Sequence, residues 1–181
     1  MRGFKPFILL ILFILSGTLQ AQPELLWSRN YGGVGDQTCG AVTVTRDGGY
    51  AMGCSNRDFM LIVTDVAGEE LWSRTYDLGG TDDCRRIIQA TDGGFVLGGV
   101  IWQGNESGHY GIMKTDPQGE LLWSATYGAG DINELYVLAE TDDGGYLIAG
   151  NSLQADWTSS VIYVVKLNGA GEFVWHRSYP Q

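Results

Sequence analysis

Two groups of side chains in this 181-residue chain have the types and spacing to bind something. The first is Trp102, Asn105, Glu106 and His109, joined farther along by Asp156 and Trp157. An exposed indole beside amide, carboxylate and imidazole groups can stack on a sugar ring while its neighbours bond the hydroxyls. The other reading is that each indole folds under its own loop. The second group is acidic: Asp36, Asp82, Asp83, Asp131 and Glu134. Carboxylates that meet exposed carbonyls can take calcium, which makes Asp36, Asp82 and Asp131 the metal candidates. No twelve-residue calcium loop or nonapeptide calcium repeat is present, however, and Asp in loops ordinarily caps turns.

Catalytic constellations are harder to find. No Gly-x-Ser-x-Gly elbow frames a nucleophile, and no spacing singles out a carboxylate pair among 21 acids. The cysteines are Cys39, Cys54 and Cys84, with no Cys-x-x-Cys and with His109 and His176 remote from them, which disfavours structural zinc. A Cys39–Cys54 bridge, a Cys39–Cys84 bridge and free buried thiols are all open to this set. No cofactor is implied.

The elements that must position these groups are set by a repeat. Trp27, Trp72, Trp123 and Trp175 each precede a tyrosine by four residues: Tyr31, Tyr76, Tyr127 and Tyr179. The first three Trp precede an Asp-Gly-Gly by 20 residues, at Asp47, Asp92 and Asp143, and an aromatic follows each time (Tyr50, Phe95, Tyr146). Asp65-x-x-Gly68-Glu69, Asp116-x-x-Gly119-Glu120 and Asn168-x-x-Gly171-Glu172 lead into the later Trp, giving periods of 45, 51 and 52 residues. Nine of the 27 glycines sit in these turns, and Tyr-Gly-Gly-like tracts such as Tyr31-Gly32-Gly33 take more.

Each period holds four strand-like runs. Strand A lies near residues 39–45, 84–90 and 135–141; strand B at 50–54, 95–99 and 146–150; strand C at 59–64, 110–115 and 162–167; strand D carries the Trp and Tyr. Asp-Gly-Gly is the A–B hairpin turn, because glycine supplies positive φ. The B–C loops are then 55–58, 100–109 and 151–161, and the chemistry-bearing residues fall on them and on the D-to-A crossings, at one end of the strands. Val42, Ile87 and Leu138, like Met52, Leu97 and Ile148, match across repeats and are predicted to face neighbouring units.

Four short antiparallel strands per roughly 40–50 residues are the signature of a β-propeller blade. The pattern Trp-x-x-x-Tyr-Gly-Gly, Thr-x-Asp-Gly-Gly-Tyr and Lys-x-Asp-x-x-Gly-Glu-x-x-Trp resembles the propeller-type repeats of secreted bacterial proteins, across Trp27 to Tyr179. The Asp-x-x-Gly-x-x-x-Trp turn is also similar to the tryptophan-docking repeat of quinoprotein propellers, with a turn one residue shorter. The resemblance implies a repeat scaffold and no single activity. A sialidase-like box, Ser-x-Asp-x-Gly-x-x-Trp, is not matched, since the Asp-to-Gly spacing is one residue longer.

The expected fold is therefore all-β: a β-propeller-like array of about three four-stranded antiparallel blades plus one extra strand, an incomplete or open ring. Residues 1–21 form a signal peptide, with Arg2 and Lys5 before the apolar run Phe7–Leu15 and a cut after Ala21. Residues 22–181 are the repeat region, with repeats 27–71, 72–122 and 123–174 and a partial one at 175–181. Export places the protein outside the cell, on its surface or in the periplasm, and no segment of the mature chain could span a membrane. Without the leader, 9 basic residues face 21 acidic ones, a net charge of −12 that repels nucleic acid.

Typical rings need about four to eight blades. The expectation is a fragment, a truncated gene product, or a chain that completes a ring by self-association or with a partner. The functional expectation is a binding or structural scaffold for a protein or surface glycan, without catalytic activity. The alternative is a glycan-acting hydrolase whose acidic cleft lies at the end formed by the B–C loops and D-to-A crossings.

Overall fold

The computed structural model describes residues 24–33, 35–103, 107–128, 132–153 and 159–180, and none of the described residues is helical. Three antiparallel blades follow one another. Blade one is β1 (Thr38–Val44), β2 (Tyr50–Asn56), β3 (Asp58–Thr64) and β4 (Glu70–Tyr76). Blade two is β5 (Thr81–Gln89), β6 (Phe95–Gln103), β7 (Ser107–Thr115) and β8 (Leu121–Tyr127). Blade three is β9 (Ile132–Glu140), β10 (Tyr146–Leu153), β11 (Ser160–Leu167) and β12 (Phe173–Pro180). Strands pair in order within each blade, and a single parallel bridge, Gly108 to Ile132, links blade two to blade three. The inner strands β1, β5 and β9 lie side by side. Arg46 donates to the carbonyls of Ala90 and Thr91, and Arg86 Nε donates to Tyr136 O at 2.5 Å. The blades form an open, propeller-like array.

The two repeated turns explain their own residues. In Asp-Gly-Gly the first glycine adopts φ of +86°, +90° and +75° at Gly48, Gly93 and Gly144. The second leaves no room for a side chain, since a Cβ at Gly49 would sit 2.1 Å from Thr64 O. In the C–D turn one side-chain oxygen, Oδ1 of Asp65, Asp116 or Asn168, accepts two backbone N–H groups, for example Ala67 and Glu69 at 2.8 Å each. Only an Oδ1 acceptor is required, which is why Asn168 serves as well as aspartate.

Trp and Tyr join one blade to the next. Trp27 meets Tyr50 edge-on at 5.5 Å, Trp72 meets Phe95 at 6.0 Å and Trp123 meets Tyr146 at 5.7 Å. Each indole also lies on the turn glycine of the following blade: Gly68, Gly119 or Gly171. Four residues on, Tyr31, Tyr76 and Tyr127 donate to those glycines' carbonyls at 2.7, 2.7 and 2.6 Å. Between blades the core is apolar. Phe59, Leu61, Phe95, Leu97 and Met113 fill the first interface, and Tyr110, Ile112, Tyr146, Ile148 and Val165 fill the second.

The structure changes four readings. Residues 100–103 and 107–109 are strand, as are 151–153 and 160–161, so the expected long B–C loops shrink: the hairpins continue pairing, Trp102 opposite Gly108 and Leu153 opposite Ser160. In blade one the loop reduces to Arg57, at φ 66°, between the paired Asn56 and Asp58. The Trp27–Tyr31 segment docks its side chains like a strand D but pairs with no strand, because no strand C lies beside it among the described residues. Val42 is 64% exposed, whereas its equivalents Ile87 and Leu138 are 6% and 8%, because among the described residues no blade packs on that side of blade one.

The Asp-Gly-Gly aspartates have structural roles. Asp92 binds Lys114 Nζ at 2.6 Å, and Asp143 binds Lys166 Nζ at 2.8 Å. Both lysines are buried, and Lys166 also donates to Thr141 Oγ1 and Leu167 O. Asp47 accepts from Thr45 Oγ1, without a lysine. Register places Cys39 opposite Cys54, and these two form the disulfide, leaving Cys84 as a buried free thiol.

Candidate functional site

A concave site lies at the B–C end, between blades one and two. It is a cavity of about 510 Å³. Asp36 and Thr38 enter from the approach to β1, Ser55, Asn56 and Arg57 from the one-residue turn, and Thr81, Asp82 and Asp83 from the start of β5. The tight turn at Arg57 brings the first blade's edge down onto the β5 start, where Asp82 N donates to Arg57 O at 2.5 Å. Ser55 Oγ accepts from Cys84 N at 2.7 Å and locks the two blades together below the cavity.

Asp82 is the unusual member. It is 2% exposed. One carboxylate oxygen, Oδ2, accepts from Leu78 N at 3.2 Å, while Oδ1 is buried with no hydrogen-bond partner among the described residues. Burial, reinforced by the nearby Asp58 and Asp77 charges, pushes its carboxyl up to about 6, against the pull of the Leu78 N–H. The register gives the counterpart of this position in blade three. Cys84 lies opposite Gly99 and Leu135 opposite Gly150, so Asp82 in blade two matches Asn133 in blade three. There the amide donates Nδ2–H to Gly108 O at 2.8 Å, a bond an ionised carboxylate cannot make.

The other sequence-predicted residues are more scattered. Trp102 is half-buried, and its ring lies on Gly108 of its own hairpin. Asp82 is opposite Ile101, so Trp102, one residue on, projects from the other face of blade two. His109 is opposite Ile101, which also puts it on the face away from Trp102; it reaches Gly128 beside Asn133. Asn105, Glu106, Asp156, Trp157 and Asp131 lie outside the described residues, as does the leader, residues 1–21. Of the metal candidates, Asp36 and Asp82 share the cavity. Asp83 and Glu134 are held instead by Arg85, at 2.9 and 3.5 Å. Among the described residues no three acids, histidines or cysteines are grouped to hold a metal ion, and no helix is long and apolar enough to cross a membrane.

Sequence reasoning missed Ser55, Asn56 and Arg57, since the shortest B–C loop drew least attention. The signal was available: Asn56-Arg57-Asp58 joins two apolar runs and forces the tightest turn.

No family model matches the chain, and no curated protein matches it. Among solved structures, the chain is similar to a protein of unknown function from Bacteroides caccae, at 15% identity and a TM-score of 0.48, over 84% of this chain and 70% of that one.

Proposed function

We propose that the chain is an exported binding module that takes a hydroxyl-rich ligand of the glycan class in the cleft between blades one and two. Its leader-like first 21 residues and acidic mature surface support an extracellular setting and disfavour nucleic acid. The observation that carries the reading is the cavity with Asp82 in it. The site is of ligand size, is lined by hydroxyls, an amide, a guanidinium and carboxylates, and keeps a buried oxygen without a partner. Asp82 holds a place where an asparagine would satisfy the backbone, so a carboxylate is kept at the cavity wall against the local hydrogen-bonding need. A glycan array probed with the wild type and with an Asp36→Ala, Asn56→Ala variant tests this. Both residues are accessible, so the variant keeps its fold and should lose binding. Trp102→Ala, Trp157→Ala should bind as the wild type does. An array without hits, or hits unaffected by the cavity variant, would refute the reading.

One observation favours the hydrolase alternative. A buried carboxyl raised to about 6 has the character a general acid needs, and Asp36 and Asp83 line the same cavity as possible partners. Release of reducing ends from array-positive glycans, abolished by Asp82→Asn, would support it; binding without turnover supports the module.

A further inference from the structure

We infer that two copies of this chain associate head to tail, the β12 edge of one blade three docking on the open face of the other's blade one, to close a six-bladed ring. This rests on the blade interfaces and is independent of the proposed ligand site, which lies whole within each copy.

The two surfaces are the unmatched halves of an interface the chain already makes twice. Trp175 and Tyr179 repeat the Trp–Tyr pair that docks each blade on the next, yet they are 39% and 49% exposed, and Tyr179 has no hydrogen-bond acceptor among the described residues. Val137 and Ile162 on the same blade are likewise exposed, while Tyr110, the blade-two counterpart of Ile162, is buried against blade three. At the other end, Val42 and Val44 are 64% exposed beside a depression of about 330 Å³ that runs from Cys39 to Met52. Residues 24–31 occupy the Tyr50 and Gly68 docking points there but leave these valines bare. A segment is too small to cover that face; a blade is what covers Ile87 and Leu138.

Charge identifies the occupant. Two residues after Trp27 and Trp72 stand Arg29 and Arg74, which pair with Glu69 and Glu120 of the following blade. The third copy has Ala125 and no such pair. Two residues after Trp175 stands Arg177, stacked 5.9 Å over its own Trp175 ring and without a carboxylate partner among the described residues. Arg177 thus matches the Glu69 that Arg29 now holds, so β12 of a second copy would take the place of the Trp27–Tyr31 segment with the same three contacts. Two copies supply six blades, within the about four to eight of typical rings.

Native mass spectrometry and light scattering of the intact protein over a concentration series test the assembly. The expected species is a dimer. Trp175→Ala with Tyr179→Phe should weaken it at least about a hundredfold, since buried aromatic anchors dominate interfaces, with an unchanged circular dichroism melt at dilutions where both proteins are monomeric, because both side chains are exposed in the single copy. Trp27→Ala with Tyr31→Phe removes the competitor and should strengthen the dimer several-fold, the opposite sign. Mixing a Glu69→Cys protein with an Arg177→Cys protein should give an oxidative cross-link that neither gives alone, the mark of a head-to-tail contact. A monomer at all concentrations, a species larger than a dimer, or cross-linking of either cysteine variant with itself would overturn the proposal.

Discussion

Replacing Asp82 by asparagine should stabilise the protein, and the gain should depend on pH. The carboxyl is 2% exposed, has one unpartnered oxygen, and titrates at about 6 in the fold against 3.8 when free. Because the folded value is raised, the favourable, protonated state is fully present below pH 3.8 and is lost as pH rises through about 6. A displacement of this size corresponds to about 2–3 kcal/mol of stability forgone at neutral pH. Asp82→Asn keeps the shape, removes the charge and restores the donor that Asn133 directs at Gly108 O in blade three. Urea unfolding of both proteins at pH 4 and pH 7.5 measures the difference. The variant should be more stable by about 2–3 kcal/mol at pH 7.5, with most of that gap gone at pH 4. An equal gap at both values would refute the charge argument, and a less stable variant would refute the burial argument as well. The gain would also show that the native residue is kept at a cost in stability, as functional groups often are.

Other consequences can be checked in the same way. Tyr76→Phe leaves Gly119 O unpaired in the buried interface and should cost about 1–3 kcal/mol in urea unfolding. Tyr179→Phe, exposed in the single copy, should cost less than about 0.5 kcal/mol under dilute conditions. Hydrogen bonds from Lys166 and the Lys114 contact hold Asp143 and Asp92 below the usual carboxylate range, so their contribution is present above pH 3.8 and lost as pH falls through the folded values. An Asp92→Asn, Asp143→Asn variant should therefore melt lower at neutral pH and show a flatter acid limb. Reducing the Cys39–Cys54 bridge, which closes a separation of 15 residues, should cost up to about 3 kcal/mol. Burial pushes the remaining thiol, Cys84, up to about 12, so iodoacetamide should label it only after unfolding, by intact-mass measurement.

The blade pattern was legible because its turns are dictated by local chemistry. Asp-Gly-Gly needs positive φ and a missing side chain, Asp-x-x-Gly-Glu needs one Oδ1 acceptor, and Trp and Tyr stand at fixed distances from both. The parity that puts the B–C loops at one end followed from counting strands. What the residues did not reveal depends on tertiary neighbours. Val42 reads like Ile87, and it is exposed because no described residues form a blade against it. Nothing in the residues around Lys114 and Lys166 marks them for burial; the opposing aspartates let them be buried. Cys39 had two candidate partners until the hairpin register chose Cys54. At the site, Asp36 and Asp82 were visible as acids, but Asp82 stood out only when its register match to Asn133 showed which oxygen lacked a donor. Trp102 was chosen for its type; the continued β6–β7 pairing turns it toward the opposite face.

The central claim, that the cleft between the first two blades is a binding site, is tested most directly by amide chemical-shift mapping with an array-positive oligosaccharide. The account predicts saturable shifts concentrated at Ser55, Asn56, Arg57 and Thr81 to Asp83. Shifts concentrated instead at the Asp-Gly-Gly turns, or at Trp102 and His109 with the cleft silent, would contradict it.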